Sequence, residues 1–387
     1  MNKTTTVFFV VLIIFLVSLS PLTVLDVKAQ TENTWTTLAP MQEDREDLGV
    51  ATVDGKIYAI CGQDYGTSNT VEEYNPQTDT WTYKKPAPVS MRLFGIAVHH
   101  GKIYCITDEG SYYAYTPLYD SWEQKAPLPN PRVGIRANTV NDKIYIVGGS
   151  TNSLDIYDPL TDSWTTKTPV PYGFGSSFGW SCTTAVLDGR IHVIGAFPLE
   201  YSHQIYDPQN DSWKLGRPLI KTYYHSFAVA TTGVNSPKRI YVFGADRGDW
   251  HLDIPTPTGQ YYDPKTVTWT LIENVPTGHI RGDGATIDDK VYLVGGSDVM
   301  IGGANFLARS QNTLYTQIGF GTPDYTYIPL DSTPAPTLSP TPTPTPTQSP
   351  TYPSTVPPEP FPTEIILGTI AILVIVGILV YFKKRKS

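Results

Sequence analysis

The chain repeats one short pattern of apolar and polar positions six times between residues 49 and 315. Each copy contains an apolar residue followed by an aromatic ring, and these pairs begin at Ile57, Ile103, Ile144, Ile191, Ile240 and Val291. Small residues and a turn signal such as Asp54-Gly55 precede the pair, which is typical of a two-residue β-hairpin. Alternation with a period of two indicates strands that bury one face.

A second signature follows the first five pairs. A Tyr ends one strand, an Asx-Pro or Thr-Pro turn comes next, and a Trp opens the following strand. The Trp residues are Trp81, Trp122, Trp164, Trp213 and Trp269, at spacings of 41, 42, 49 and 56 residues. Each unit therefore predicts a four-stranded antiparallel meander of about 40–50 residues, the period of a propeller blade. We expect the Tyr and Trp residues to pack the blades.

The sixth unit contains Tyr315 but no Trp after it, whereas Trp35 precedes the first unit. We predict that residues 32–38 supply the last strand of the sixth blade, because a ring left open exposes two sheet edges. The prediction is a single all-β, six-bladed propeller over residues 30–331.

These motifs resemble the kelch-repeat, galactose oxidase-like propellers, in which a Gly-Gly pair follows the second strand of a blade. Gly148-Gly149 and Gly295-Gly296 match this pattern. Cys61-Gly62, Gly195-Ala196 and Gly244-Ala245 match in part, and Thr107-Asp108 has lost both glycines. The resemblance implies that the innermost strand comes first in each blade, and that the loops entering these strands share a ligand-binding face.

Candidate binding residues lie at or just before the innermost strands and in long aromatic loops. They are Arg45, Arg92, Arg132, Arg281, His225 and His279, with Trp180, Tyr224 and Trp250 as stacking platforms for sugar rings. Guanidinium groups offer forked donors to carboxylate, sulfate or sugar hydroxyls. The structural alternative stays open, because each Arg can instead pair with neighbouring acids such as Asp44, Glu46, Asp47 and Asp283.

No catalytic motif, metal site or cofactor is predicted. Cys61, Cys105 and Cys182 fall inside predicted strands, where buried free thiols are common. The pair His99-His100 falls in a hairpin turn on the face opposite the loops, where we expect it to be solvated. A surface enzyme acting on carbohydrate remains the alternative function, either mutarotase- or epimerase-like or oxidase-like, with an Arg-lined axial pocket.

The two ends of the chain carry targeting signals. A basic start, an apolar run and an Ala-terminated exit predict a signal peptide over residues 1–29, with an uncleaved N-terminal anchor as the alternative. Residues 363–382 are long and apolar enough to cross a membrane, and the cations of residues 383–387 favour the cytoplasmic side. Between propeller and span, residues 332–362 contain 12 prolines in 31 residues, which predicts an extended Pro/Thr-rich stalk.

Composition narrows the function. Only 17% of the residues are charged, which excludes a coiled coil, and the net charge of -8 disfavours nucleic acid as a partner. Residues 30–363 hold 22 Lys and Arg against 34 Asp and Glu, so this part carries about -12. Asn210-Asp211-Ser212 is a glycosylation sequon in a blade turn. The sequence therefore predicts a single-pass type I surface protein whose propeller binds an external glycan or protein.

Overall fold

The computed structural model of the protein describes residues 32–64, 66–172, 182–195, 201–221, 223–246, 257–272, 275–276, 279–299, 306–322 and 324. Within these residues the chain forms six four-stranded antiparallel sheets. One 3-10 turn, Pro117–Tyr119, interrupts the β structure of the described residues. No helix in these ranges has the length and hydropathy needed to cross a bilayer. The predicted leader, stalk, span and basic tail all lie outside the described residues.

Five blades are continuous in sequence. Blade 1 contains β2 (Gly49–Val53), β3 (Lys56–Ile60), β4 (Val71–Asn75) and β5 (Thr80–Lys84). Blade 2 contains β6 (Gly95–His99), β7 (Lys102–Ile106), β8 (Tyr112–Thr116) and β9 (Ser121–Lys125). Blade 3 contains β10 (Ile135–Val140), β11 (Lys143–Gly148), β12 (Leu154–Asp158) and β13 (Ser163–Lys167). Blade 4 contains β14 (Thr183–Leu187), β15 (Arg190–Ile194), β16 (His203–Asp207) and β17 (Ser212–Leu215). Blade 5 contains β18 (Tyr223–Ala230), β19 (Ile240–Asp246), β20 (Pro257–Asp263) and β21 (Thr268–Ile272).

Blade 6 joins the two ends of the domain. It contains β22 (Asp283–Ile287), β23 (Lys290–Val294) and β26 (Asn312–Thr316), and a small hairpin of β24 (Ser297–Val299) and β25 (Phe306–Ala308) is inserted between the last two. Its outer strand is β1 (Thr34–Thr37), which pairs antiparallel with β26 so that Trp35 lies opposite Tyr315. The predicted closure by the N-terminal strand is confirmed.

The core lies between neighbouring blades rather than inside any one of them. Ile60 and Val71 of blade 1 pack with Ile103 and Tyr115 of blade 2 in one buried cluster. The innermost strands β2, β6, β10, β14, β18 and β22 each lie against the next, and β22 lies against β2. Because each sheet buries its faces only on its neighbours, the blades depend on a complete ring.

The repeat Tyr and Trp residues hold each blade to the preceding one. The two rings are in contact in all six blades, with centroids 4.5–5.4 Å apart. Five of the indoles donate to a backbone carbonyl where the chain leaves the preceding blade: Trp81 to Ala39, Trp122 to Lys85, Trp164 to Ala126, Trp213 to Thr168 and Trp269 to Arg217. In the described residues these contacts join each blade to the one before it.

The residue two positions before each Trp adopts a left-handed conformation. It is Asn33, Asp79, Asp120, Asp162, Asp211 or Val267. The four Asp carboxylates accept the hydroxyl of the repeat Tyr and also a backbone N–H of the preceding blade, as Asp79 does from Tyr74 and Ala39. Asn and Asp tolerate this conformation, whereas a β-branched residue is strained in it. Blade 5 therefore carries strain at Val267 and has no carboxylate at this position.

We expect Val267→Asp to stabilise the domain by about 2 kcal/mol, from relief of left-handed strain and new hydrogen bonds. The new carboxylate would lie where Tyr262 and the backbone N–H of Arg217 can donate to it, as their counterparts do in blade 4. Thermal unfolding followed by circular dichroism measures the effect. Val267→Gly is the control, because it relieves the strain without supplying an acceptor and should gain less. A lower melting temperature for Val267→Asp would contradict this account.

Candidate functional site

One end of the ring axis opens into a pocket of about 170 Å³ lined by all six blades. The innermost strands all begin at this end, so their first residues surround the axis. The lining residues with polar side chains are Asp47, Arg136, Thr183, Thr184, Ser226, Arg281 and Asp283. We call this cavity the axial pocket. Deeper along the axis the lining becomes small and mostly apolar, with Ala51, Ala97 and Ala285.

Two arginines supply the cationic side of the axial pocket. Arg136 is the second residue of β10, is half-buried, and donates through Nε to the carbonyl of Cys182 at 3.1 Å. Arg281 has φ of 61° and pairs through Nη1 with Glu46 Oε1 at 2.8 Å and Asp47 Oδ2 at 3.5 Å. The protein thus holds both guanidinium groups in place in the pocket. The arginine side chains therefore lose less conformational entropy when a ligand binds to them.

Two carboxyl groups supply the acidic side. Asp283, the first residue of β22, accepts the backbone N–H of Val50 at 2.9 Å and that of Gly284 at 2.8 Å. Burial raises the pKa of Asp283 to about 6 against the opposing effects of these donors and Arg136. Burial likewise raises the pKa of Asp47 to about 6, with Arg281 opposing the shift. The axial pocket therefore offers carboxylates at neutral pH and becomes more cationic on mild acidification.

The Asp283 shift predicts a pH-dependent stability. A carboxyl whose pKa rises on folding stabilises the fold below its unfolded pKa of 3.8, and this contribution is lost as pH rises through 6. Asp283→Asn lacks the titration. The unfolding free energy of the wild type minus that of Asp283→Asn should therefore fall by about 1.4 kcal/mol between pH 5 and 7.5.

Urea unfolding at the two pH values measures this difference. Asp54→Asn, at an exposed turn position, is the control and should show no such change. A constant difference between wild type and Asp283→Asn at both pH values would contradict the raised pKa.

A family model described as the kelch motif matches residues 44–88 and 131–171. These ranges contain blades 1 and 3, and the ring around them closes with six blades. The domain is a kelch-repeat propeller.

Two curated proteins and one solved structure are similar to this chain. Kelch-like protein 26 from Danio rerio is 28% identical over 180 residues, 43% of this chain, and Kelch-like protein 35 from Mus musculus is 29% identical over 171 residues, 42% of this chain. The match covers 29% of the length of each of these curated relatives. The solved structure titled "Structure of YjhT" superposes with a TM-score of 0.58 at 14% identity, covering 72% of this chain and 96% of that one. That likeness concerns the fold alone. The comparisons do not favour the carbohydrate-acting enzyme that stood as the alternative.

Two of the predicted arginines of the kelch propeller lie away from the axial pocket. Arg45 is fully buried and pairs through Nη2 with Oε1 of Glu72 on β4. Arg132 is buried and pairs through Nη1 with Asp155 Oδ2 on β12 at 2.7 Å. Both guanidinium groups also donate to backbone carbonyls, as Arg132 does to Gly148. Both arginines therefore pair with acids, as the structural alternative predicts. The partner acids lie on the third strand of the blade and are not neighbours in sequence.

Three other blades make a similar contact with different residues. In each, the residue two positions before the repeat Tyr reaches the loop that enters the first strand of the same blade. Gln204 bonds both backbone groups of Tyr172, and Gln260 bonds the backbone of Ile220 and Lys221. In blade 6 the Oγ1 of Thr313 lies 2.9 Å from Nε2 of His279, whose Nδ1 lies 2.9 Å from the carbonyl oxygen of Gly295. Burial lowers the pKa of His279 to about 4, so it is neutral and fixes the loop.

Of the remaining predicted site residues, Arg281 lines the axial pocket, Arg92 and Asn210 lie outside it, and the side chains of the others are not described. Arg281 lines the axial pocket, where it meets Glu46 and Asp47 as the structural alternative anticipated. Arg92 is exposed and donates to Gln63 at 3.2 Å, and its charge acts on Asp47. Trp180 and Trp250 lie outside the described residues, as do the side chains of Tyr224 and His225 within β18. Asn210 is exposed between β16 and β17, and its glycosylation stays a prediction.

Arg136 lines the axial pocket but is not among the residues predicted from the sequence. Aligning the blades on the second strand places Arg136 at the position of Gly49 and Gly95, and Asp283 stands at the same position in blade 6. The sequence signal for this site was a charged residue at a position where two other blades carry glycine. Since blades 3 and 6 are opposite in a six-membered ring, this position brings Arg136 and Asp283 to facing sides of the axis.

Proposed function

We propose that the chain is a cell-surface binding module whose axial pocket receives part of a glycan or protein ligand. Kelch propellers commonly bind proteins, and the matched relatives are kelch-like proteins. The observation that carries the proposal is the axial pocket, which all six blades line and where five of them place Arg136, Arg281, Asp47, Asp283 and hydroxyl groups around one cavity. Such a mixture of forked donors and carboxylate acceptors suits a carboxylate or hydroxyl-bearing group on the ligand.

The size of the cavity limits what enters it. A pocket of about 170 Å³ accommodates one sugar-sized or side-chain-sized group, not a whole glycan or protein surface. The rest of such a ligand would contact the loops around the mouth, where Arg92 is exposed. Loops on a rigid scaffold are common sites of recognition. Arg136 is thus proposed as the residue that anchors the ligand.

The chain ends support display outside the cell. In this proposal residues 1–29 direct export, residues 332–362 form a Pro/Thr-rich stalk, and residues 363–382 anchor the protein with residues 383–387 in the cytoplasm. The support is the sequence pattern: an apolar span followed by clustered cations, behind a stretch that cannot form a core. Truncation after residue 362 should release the protein into the medium, whereas the full chain stays with the membrane.

A glycan array probed with the full chain in mild detergent tests the binding role, with immobilised protein candidates as a second arm. We expect a specific ligand whose binding weakens at least tenfold in Arg136→Gln and Arg281→Gln. Arg190→Gln is the control, because Arg190 is exposed at the opposite ends of the strands and should bind normally. If no ligand binds, the proposed function is wrong. If all three variants bind the ligand with wild-type affinity, the proposed site is wrong.

A further inference from the structure

Two hairpin turns on the face opposite the axial pocket bring two histidines and an aspartate together. His99 ends β6, His100 follows it in the turn, and Asp142 lies in the turn between β10 and β11 of the next blade. One ligand atom from each residue lies within 4.8 Å of the other two. The hairpin position predicts that His99-His100 is solvated, but only His100 of the pair is exposed, whereas His99 is partly buried.

The turns hold these residues in fixed positions. His100 and Gly101 have φ of 46° and 71°, and Asn141 and Asp142 have φ of 47° and 57°. Two successive residues at positive φ define the tight type I′ hairpin turn, which matches the twist of the flanking strands. The strands below the turns are joined as well, since the hydroxyl of Thr139 donates to the carbonyl of Val98 at 2.7 Å. The three side chains therefore come from a rigid frame that spans blades 2 and 3.

The distances from the two histidine nitrogens to Asp142 are close to those between ligands of one metal ion. Nε2 of His100 lies 3.2 Å from Oδ1 of Asp142, and Nε2 of His99 lies 3.7 Å from the same oxygen. A tetrahedral zinc ion with bonds of ~2.0–2.2 Å requires its ligand atoms to lie ~3.3–3.6 Å apart. The planes of the two stacked imidazole rings differ by only 15°, so the exposed His100 ring must turn out of the stack for both nitrogens to face one ion.

An ordinary surface ion pair explains only part of this cluster. His100 and Asp142 are within hydrogen-bond distance, but Nε2 of His99 is buried and has no hydrogen-bond partner among the described residues. The two imidazole rings stack with centroids 4.1 Å apart.

The surrounding charges also favour a cation. Asp142 is mostly exposed, and Asp158 adds negative potential at His99. The nearby lysines are engaged with acids, Lys143 with Asp158 at 2.6 Å and Lys102 with Glu123 at 3.6 Å. Imidazole nitrogen with carboxylate oxygen is a donor set typical of zinc and other late divalent transition metals.

We propose that His99, His100 and Asp142 bind a divalent transition-metal ion such as Zn²⁺, with the fourth coordination position open to solvent. The ion joins the turns of blades 2 and 3 and stabilises the ring at the face opposite the axial pocket. This inference stands independently of the proposed function.

Calorimetric titration of the full chain with Zn²⁺ tests the proposal, using protein without a polyhistidine tag that has been stripped of metal by a chelator. We expect one site of micromolar or tighter affinity, and a melting temperature that rises with the Zn²⁺ concentration. His100→Ala and Asp142→Asn should each weaken binding at least tenfold. Asp54→Asn, an exposed acid in the corresponding turn of blade 1, is the control and should bind as the wild type does.

Cobalt(II) supplies a second readout of the same site. Four-coordinate Co²⁺ absorbs visible light much more strongly than the hydrated ion, so wild type should gain this absorption and His100→Ala should lack it. Circular dichroism verifies that the variants are folded. The proposal is overturned if wild type takes up no Zn²⁺ at micromolar concentrations, or if folded His100→Ala and Asp142→Asn bind it with unchanged affinity.

Discussion

Arg45→Ala is expected to lower the free energy of unfolding by about 3–5 kcal/mol. Arg45 is fully buried, pairs with the equally buried Glu72, and donates to the carbonyls of Ala59, Cys61 and Thr70. Removing it leaves a buried carboxylate without its partner, and that desolvation is the main cost. Denaturant unfolding of the full chain measures the change, and Arg132→Ala should behave similarly because Arg132 pairs with buried Asp155.

Two further variants separate the ion pair from other effects. Arg45→Met combined with Glu72→Leu removes both charges and should recover much of the lost stability, since replacing a buried pair by apolar residues is often near neutral. Arg92→Ala, at an exposed arginine, should change stability by less than about 0.5 kcal/mol. If Arg45→Ala kept the wild-type stability but lost ligand binding, Arg45 would be a binding residue and the structural role would be wrong.

Deletion of residues 32–38 is expected to abolish the cooperative unfolding transition of the propeller. These residues include β1, which forms the outer strand of blade 6 with β26, and Trp35, whose ring stacks on Tyr315 at 4.5 Å and meets Phe243 at 5.9 Å. Loss of a packed Trp alone costs about 3–5 kcal/mol, and the strand pairing is lost in addition. Together these losses approach the ~5–15 kcal/mol that stabilises a typical domain.

Thermal unfolding by calorimetry and circular dichroism detects this outcome. Trp213→Ala is the matched control, since it removes the corresponding indole from blade 4 without opening the ring, and it should lower the melting temperature while leaving one cooperative transition. A synthetic peptide of residues 30–40 should restore the transition of the deletion variant by adding the missing strand. An unchanged melting curve after the deletion would mean that the ring does not depend on β1.

The fold was predictable because its determinants recur. The Tyr and Trp of each blade reappear at nearly constant spacing, so the missing Trp of the sixth unit could be matched to Trp35 some 280 residues away. Repetition supplied the long-range information that a single strand lacks. The role of Val267 also follows from the repeat, once its position is compared with Asp79 and Asp211.

The candidate site was less predictable, because its contacts do not recur. Arg45 and Arg132 were expected to face a ligand or a nearby acid, yet their partners are Glu72 and Asp155 on the third strand, brought close by the path of the entering loop. Arg136 was not predicted as a site residue because it lies inside a strand, whereas the predicted arginines lie at or just before one. Asp283 was considered as a partner for arginine, and only its burial on the axis reveals the raised pKa.

The central claim is that the ligand binds at the axial pocket, and a blocking experiment tests it most directly. In one variant a cysteine replaces Thr184, which lines the pocket, and is labelled with a bulky maleimide. In the control variant the labelled cysteine replaces Arg190, which is exposed beyond the other end of the same innermost strand. The native thiols should not react, because all three are buried and burial raises the pKa of Cys61 to about 12 and of Cys182 to about 11. Label at residue 184 is predicted to abolish binding of the strongest ligand from the screen, while label at residue 190 leaves it intact. Undiminished binding after labelling at residue 184 would contradict the claim.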